Sequence, residues 1–154
     1  MASLLIGSPA AAQVGIQVGA KAPALVLPDL DGKPVDLAGV IGKKPIFLEF
    51  WATWCSECEA LLPRVQAAYS AYGDRVAFYG IGVGVNQTPA KLKEYSAKHG
   101  VPFPTLFDQK GAGVRAYGVN TTSAVVIIDR TGKVVYTGAY SDQEFEKALK
   151  QVAG

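Results

Sequence analysis

From residue 18 onward, short apolar runs alternate with polar, turn-forming segments, and the spacing of the apolar positions separates strands from helices. Ala24-Leu25-Val26-Leu27 and Pro34-Val35-Asp36-Leu37 flank Asp29-Leu30-Asp31-Gly32-Lys33, which predicts an N-terminal β-hairpin because Asp-Gly supplies the positive φ of such a turn. Residues 45–51 form a near-continuous apolar run, the pattern of a central strand buried on both faces. Over residues 56–72, Leu61, Leu62, Val65, Ala68 and Tyr69 recur at helical spacing, and Pro63 inside that stripe predicts a kink. A second buried strand is predicted over 76–85 and a helix over 89–98, with Thr88 as its N-cap and Pro89 in its first position. A short strand at 105–107 and a short helix at 112–117 follow. Strands at 124–128 and 134–137 then form a hairpin around Asp129-Arg130-Thr131-Gly132. Phe145, Leu149 and Val152 mark a last amphipathic helix, for which Ser141 and Glu144 have the capping-box spacing. This order predicts an α/β fold, a sheet with helices on both faces.

The 154 residues suit one compact domain. A net charge of +2 with no block of like charges excludes a nucleic-acid footprint or a membrane-surface patch. Residues 1–13 combine a short apolar run with Ala10-x-Ala12, the pattern that ends a secretory signal, and the run is too short to span a membrane. We therefore expect a signal remnant or flexible tail over 1–17, a folded domain over 18–154, and an exported protein.

Only two cysteines are present, three positions apart, too few for a disulfide-stapled scaffold. A zinc site needs further ligands, and the lone His99 sits at a predicted helix end, where the dipole favours a basic side chain. No metal is expected. Cys55 and Cys58 fall where the apolar strand gives way to the helix. The first sulfur then lies at a helix N-terminus, where unpaired N–H groups favour a thiolate, the nucleophile of disulfide exchange. Cys58, one turn in and shielded, is placed to attack a mixed disulfide on Cys55. The pair carries the electrons itself, so no bound cofactor is implied. Trp51 reads as core, and Trp54 as a cover over the site.

Gly19-x-x-Ala22-Pro23, Asp29-Leu30-Asp31-Gly32, Phe50-Trp51-Ala52-Thr53-Trp54-Cys55-x-x-Cys58, Pro63, Tyr117-Gly118-Val119 and Ile128-Asp129-Arg130-x-Gly132 together resemble the TlpA/ResA branch of the thioredoxin superfamily. The resemblance implies a thioredoxin-like fold: a central mixed sheet, helices on both faces, an added N-terminal hairpin and an insert before the middle helix. It implies a monomeric thiol–disulfide oxidoreductase acting on protein thiols and disulfides, fed by a membrane electron donor, with partners such as an apocytochrome c. Peroxiredoxin relatives share the layout, but Ala52 stands where their site needs threonine.

Three departures matter. The resemblance puts a cis-proline at position 123, where this chain has Ser123, so Thr122–Ser123 is expected to be trans. Leu61 stands where the branch often has glutamate, while Glu49 matches the buried acid of thioredoxin. Burial raises such a carboxyl toward neutrality and suits it to take a proton from Cys58, unless it pairs with Lys43 or Lys44. The intervening pair is Ser56-Glu57, and a negative charge beside Cys55 disfavours its thiolate and favours the reductase direction. An inactive binding module and a disulfide-forming oxidase are the rival readings.

Overall fold

The computed structural model describes residues 14–154, so the signal-like stretch at 1–13 lies outside the described residues. Residues 14–17, assigned above to a tail, already touch the domain. Ile16 donates to the Tyr117 carbonyl at 2.7 Å, and Val14 and Ile16 pack against the core.

Strands β1 (Val26–Pro28) and β2 (Pro34–Asp36) form the expected hairpin, with Gly32 at φ 85° in its turn and a 3-10 turn at Leu37–Gly39 after it. The main sheet contains β3 (Ile46–Trp51), β4 (Ala77–Val83), β5 (Thr105–Asp108), β6 (Ala124–Ile128) and β7 (Val134–Gly138), in the order β5-β4-β3-β6-β7. Pairing is parallel on the β4–β5 side and antiparallel on the β6–β7 side, so the sheet is mixed. All six residues of β3 are buried, as an apolar run at the centre of a doubly covered sheet must be.

Alternation along β3 divides its side chains between two faces. Phe47 meets Phe145 at 5.5 Å between ring centroids, and Trp51 meets Tyr95 at 5.5 Å. That face is covered by α1 (Ser56–Tyr72), α2 (Pro89–His99) and α4 (Glu146–Ala153). On the other face Phe50 meets Tyr117 at 6.1 Å, and the hairpin lies there with the short α3 (Ala112–Ala116). The fully buried Tyr117 donates its hydroxyl to the Pro23 carbonyl at 2.9 Å and pins the chain before the hairpin.

Thr88 caps α2 as expected, accepting from the Lys91 amide at 3.2 Å, and Gly100 closes it in the left-handed conformation. Gly80 on β4 has a steric reason: a Cβ there would come within 2.5 Å of Trp51 Nε1. Helix α1 runs as one element with Pro63 inside it, on its exposed side. One local expectation needs correction. Helix α4 starts at Glu146, not at Ser141, and its N-cap, Phe145, makes no side-chain cap bond. The capping box does not form because Ser141 and Gln143 are committed to partners near the cysteines, described next.

Candidate active site

Cys55 is the N-cap of α1: its backbone is extended, at φ −88° and ψ 102°, and its Sγ accepts from the Cys58 amide at 3.1 Å. A sulfur that occupies the capping position faces the free N–H groups of the first turn, which favour negative charge there. Cys55 and Cys58 are joined as a disulfide with Cα atoms 5.3 Å apart. Both residues are 6% exposed, so the expected contrast between an outer and a shielded cysteine is absent in this oxidised form. Position on the helix, not exposure, distinguishes the two sulfurs. Ser56 is the exposed first residue of the helix. Glu57 accepts from the Ser141 amide at 2.7 Å, and side-chain and backbone hydrogen bonding from Ser141 holds its carboxyl below the usual carboxylate range.

Glu49 lies on β3, two residues before Trp51 and on the same face. It is 3% exposed, and desolvation raises its pKa to about 8. Lys43 and Lys44 do not pair with it; the salt bridges among the described residues are Arg64–Glu146, Arg75–Asp74 and Lys93–Asp31. Glu49 and Cys58 line one small cavity with Trp51, Leu62, Tyr95 and Phe103. The space available there to the centre of a water-sized sphere is about 10 Å³, room for a single water. A neutral carboxyl behind the second sulfur is therefore an available acid–base group.

The two flanks of the disulfide are built alike, and sequence reading missed half of their residues. On one flank Trp54, the neighbour of Cys55 in the chain, is 51% exposed and ties its Nε1 to the Val85 carbonyl at 2.8 Å. Behind it, buried Gln87 donates to Thr53 Oγ1 and to the Asn86 carbonyl, each at 3.0 Å. On the other flank Ser123 is fully buried, with its peptide bond to Thr122 trans as expected. Its amide donates to the Phe50 carbonyl at 2.8 Å, its Oγ accepts from the Tyr140 amide at 2.9 Å, and its carbonyl accepts from Gln143 Nε2 at 2.8 Å. Among the described residues, three that are not glycine have positive φ, namely Asn86 (53°), Ser123 (63°) and Tyr140 (70°), and all three stand on these flanks. Such backbone costs ~1 kcal/mol or more per residue and persists where neighbours enforce it, commonly at functional sites. Gln87, Gln143 and Tyr140 carry no local pattern that marks them. Their partners are distant in sequence, and Ser141-Asp142-Gln143-Glu144 reads as an ordinary helix start.

Pro63 lies on the exposed side of α1 and takes no part in this cluster. Among the described residues no group of three or more His, Cys, Asp or Glu side chains gathers as a metal site.

The AhpC/TSA family model matches residues 18–137. The thiol–disulfide oxidoreductase ResA of Bacillus thuringiensis (strain Al Hakam) is 32% identical over 139 residues, covering 89% of this chain and 79% of that protein. Among solved structures, a thiol:disulfide interchange protein of the thioredoxin family from Chlorobium tepidum superposes with a TM-score of 0.72 at 26% identity, covering 88% of this chain and 97% of that one. A secreted Mycobacterium tuberculosis disulfide oxidoreductase superposes with a TM-score of 0.71 at 25% identity, covering 84% and 94%. With a cysteine pair at the start of α1 beside a thioredoxin-like sheet, the chain belongs to the AhpC/TSA family and, within it, to the TlpA/ResA-like thiol–disulfide oxidoreductases.

Proposed function

We propose that the chain works as a reductant of disulfides in exported proteins. The observation that carries this reading is the Cys55–Cys58 disulfide at the start of α1 with an unpaired, buried Glu49 lining the cavity behind Cys58. In the reduced protein the Cys55 thiolate attacks one sulfur of a substrate disulfide. A mixed disulfide forms and the other substrate sulfur leaves as a thiolate. Glu49 then takes the Cys58 proton, and the resulting thiolate attacks Cys55 Sγ. The Cys55–Cys58 bond closes and the second substrate sulfur departs, so two electrons pass to the substrate. A donor dithiol, at the membrane for an exported protein, restores the pair by the reverse exchange, with no cofactor in the cycle. Two features support the direction and the compartment. Glu57 keeps a negative charge one residue from Cys58 and two from Cys55, which disfavours thiolates and makes the disulfide form relatively stable. The secreted mycobacterial relative and the signal-like residues 1–13 both fit export.

The test is a reduction potential measured against glutathione or dithiothreitol, with an insulin-reduction assay beside it. A value near −270 mV, with insulin reduced, is expected. A value above about −180 mV reverses the direction to an oxidase, and intact insulin disulfides would leave only a docking module. A Cys58→Ala variant should hold its physiological partner as a stable mixed disulfide on Cys55 and so identify it.

A further inference from the structure

We infer that Thr105 is a positioning residue for the proton that Glu49 handles. Its hydroxyl, with the indole N–H of Trp51, holds a buried water beside Gly80, and that water passes the proton to a cavity at the β5 edge whose lining includes neither cysteine. This inference rests on the proposed role of Glu49 as the base for Cys58 and adds how the carboxyl returns its proton to solvent. When Glu49 has taken that proton, the substrate protein is still bonded to Cys55. A carboxyl that is 3% exposed then needs a way to water that does not pass the occupied cysteines.

Strand register puts Glu49 of β3, Gly80 of β4 and Thr105 of β5 directly opposite one another, so their side-chain positions form one row on one face. Gly80 has no side chain, which leaves the row open between the carboxyl and the hydroxyl. Two polar atoms reach the opening: the position that a Gly80 Cβ would take lies 2.5 Å from Trp51 Nε1 and 2.9 Å from Thr105 Oγ1. Atoms that close to one point are within the span of a single bridging water. Trp51 and Thr105 are 3% and 5% exposed. Among the described residues four buried side-chain polar atoms have no hydrogen-bond partner, and three of them are Trp51 Nε1, Thr105 Oγ1 and Ser96 Oγ. Orphaned groups of this kind are costly, and a bound water relieves them.

Trp51 joins this point to Glu49, because both line the small cavity behind Cys58. Thr105 joins it to the outside: with Ser96 it lines an open cavity of about 330 Å³, bordered by Asp29, Asp31 and Lys93. Phe103 belongs to both linings and is the wall they share. An indole N–H only donates, so Trp51 orients the water. A hydroxyl donates and accepts, so Thr105 and Ser96 can each take one proton and release another. Only O–H bonds change in this step: Glu49 gives up its proton, each O–H group along the path passes one on, and water in the open cavity receives the last. The other titratable groups lining the Glu49 cavity are Cys58 of α1 and Tyr95 of α2, and half-buried Tyr95 is the rival exit.

Thr105→Val keeps the branched shape and removes the hydroxyl; Thr105→Ser restores it. Reduced protein is mixed with excess insulin, and its own oxidation is followed in a single turnover. For Thr105→Val we expect the saturating rate at pH 7 to fall roughly fivefold, the worth of one neutral hydrogen bond, with the insulin concentration at half-saturation and the reduction potential unmoved. Thr105→Ser should recover the rate. In a Glu49→Gln background the Thr105→Val loss should vanish, because the path serves only that carboxyl. An unchanged rate for Thr105→Val, an undiminished loss in the Glu49→Gln background, or a loss found in Tyr95→Phe in its place overturns the proposal. If Thr105→Val does not fold, Ser96→Ala decides: a smaller loss in the same direction is expected, and none overturns it. A Glu49→Gln variant as fast as wild type would remove the base and the path together, and wild-type protein inert toward insulin would defeat the reductase reading. Failure of the path alone looks different from both: Glu49→Gln is slow and Thr105→Val is not.

Discussion

Glu49 is a carboxyl placed among aromatic and aliphatic side chains with no cation beside it, so its neutral form dominates at pH 7. As pH rises through about 8 the base form accumulates, and the step in which Cys58 must lose a proton should accelerate over that range. Glu49→Gln is expected to slow disulfide exchange near pH 7 and to erase the inflection near pH 8; stopped-flow rates from pH 6 to 9 check this, and an unaltered profile removes Glu49 from the mechanism. The same shift has a consequence for stability. The folded-state pKa lies above the ordinary 4.5, so the folded form binds the proton more tightly than the unfolded chain does. The favourable contribution is complete below pH 4.5 and is lost as pH climbs toward 8. Urea unfolding should therefore show the wild type losing stability across that window relative to Glu49→Gln, which has no proton to lose.

At the scale of elements, the helices nearest the site are joined by one side chain. Arg64 on α1 makes a two-nitrogen contact with Glu146 of α4, donates to the Ser141 and Gln143 carbonyls, and lies 5.3 Å over the Phe145 ring. The ion pair is partly exposed and contributes little by itself, whereas two carbonyls left without donors cost more. Arg64→Ala should destabilise by about 1–3 kcal/mol, and lysine should not restore it because an ammonium cannot reproduce the planar fork. The urea midpoint at constant m-value is the measurement. This joint also explains what could be read from the chain and what could not. Strand β3 was legible because seven consecutive residues up to Trp51 lack a solvent-facing pattern, and α2 because Thr88-Pro89 is a local start signal. Cys55 and Cys58 were legible from spacing and from what precedes them. The start of α4 was not: Ser141 has a local partner in the capping-box pattern but bonds Glu57, 84 residues away. Gln143 bonds Ser123, 20 residues away. Local periodicity carries no record of contacts made only after the sheet has formed.

Across the whole molecule, the central sheet transmits the site to both covering layers. On the face away from α1, Tyr117 is fully buried and its hydroxyl, kept neutral with a pKa pushed to about 12 by burial, donates to Pro23. Tyr117→Phe leaves that carbonyl unpartnered and should cost about 1 kcal/mol in urea unfolding, with disulfide exchange unaffected because the residue lies across the sheet from Glu49.

The redox pair itself is linked to global stability more directly. Reduction potential and fold stability are two sides of one cycle: a strong oxidant is one whose dithiol form is the more stable fold, and a reductant is one whose disulfide form is. Here the Cys58 amide donates to Cys55 Sγ and favours its thiolate, whereas the Glu57 carboxylate, one residue from Cys58 and two from Cys55, disfavours thiolate charge. The direction proposed above requires the second effect to outweigh the first. The oxidised protein should therefore resist urea better than the reduced protein, and Glu57→Gln should narrow that gap and move the potential in the oxidising direction. Paired unfolding curves with and without reductant read the sign directly. A reduced form that outlasts the oxidised one would mean that electrons flow into this protein from its substrates, and the direction proposed above would have to be reversed.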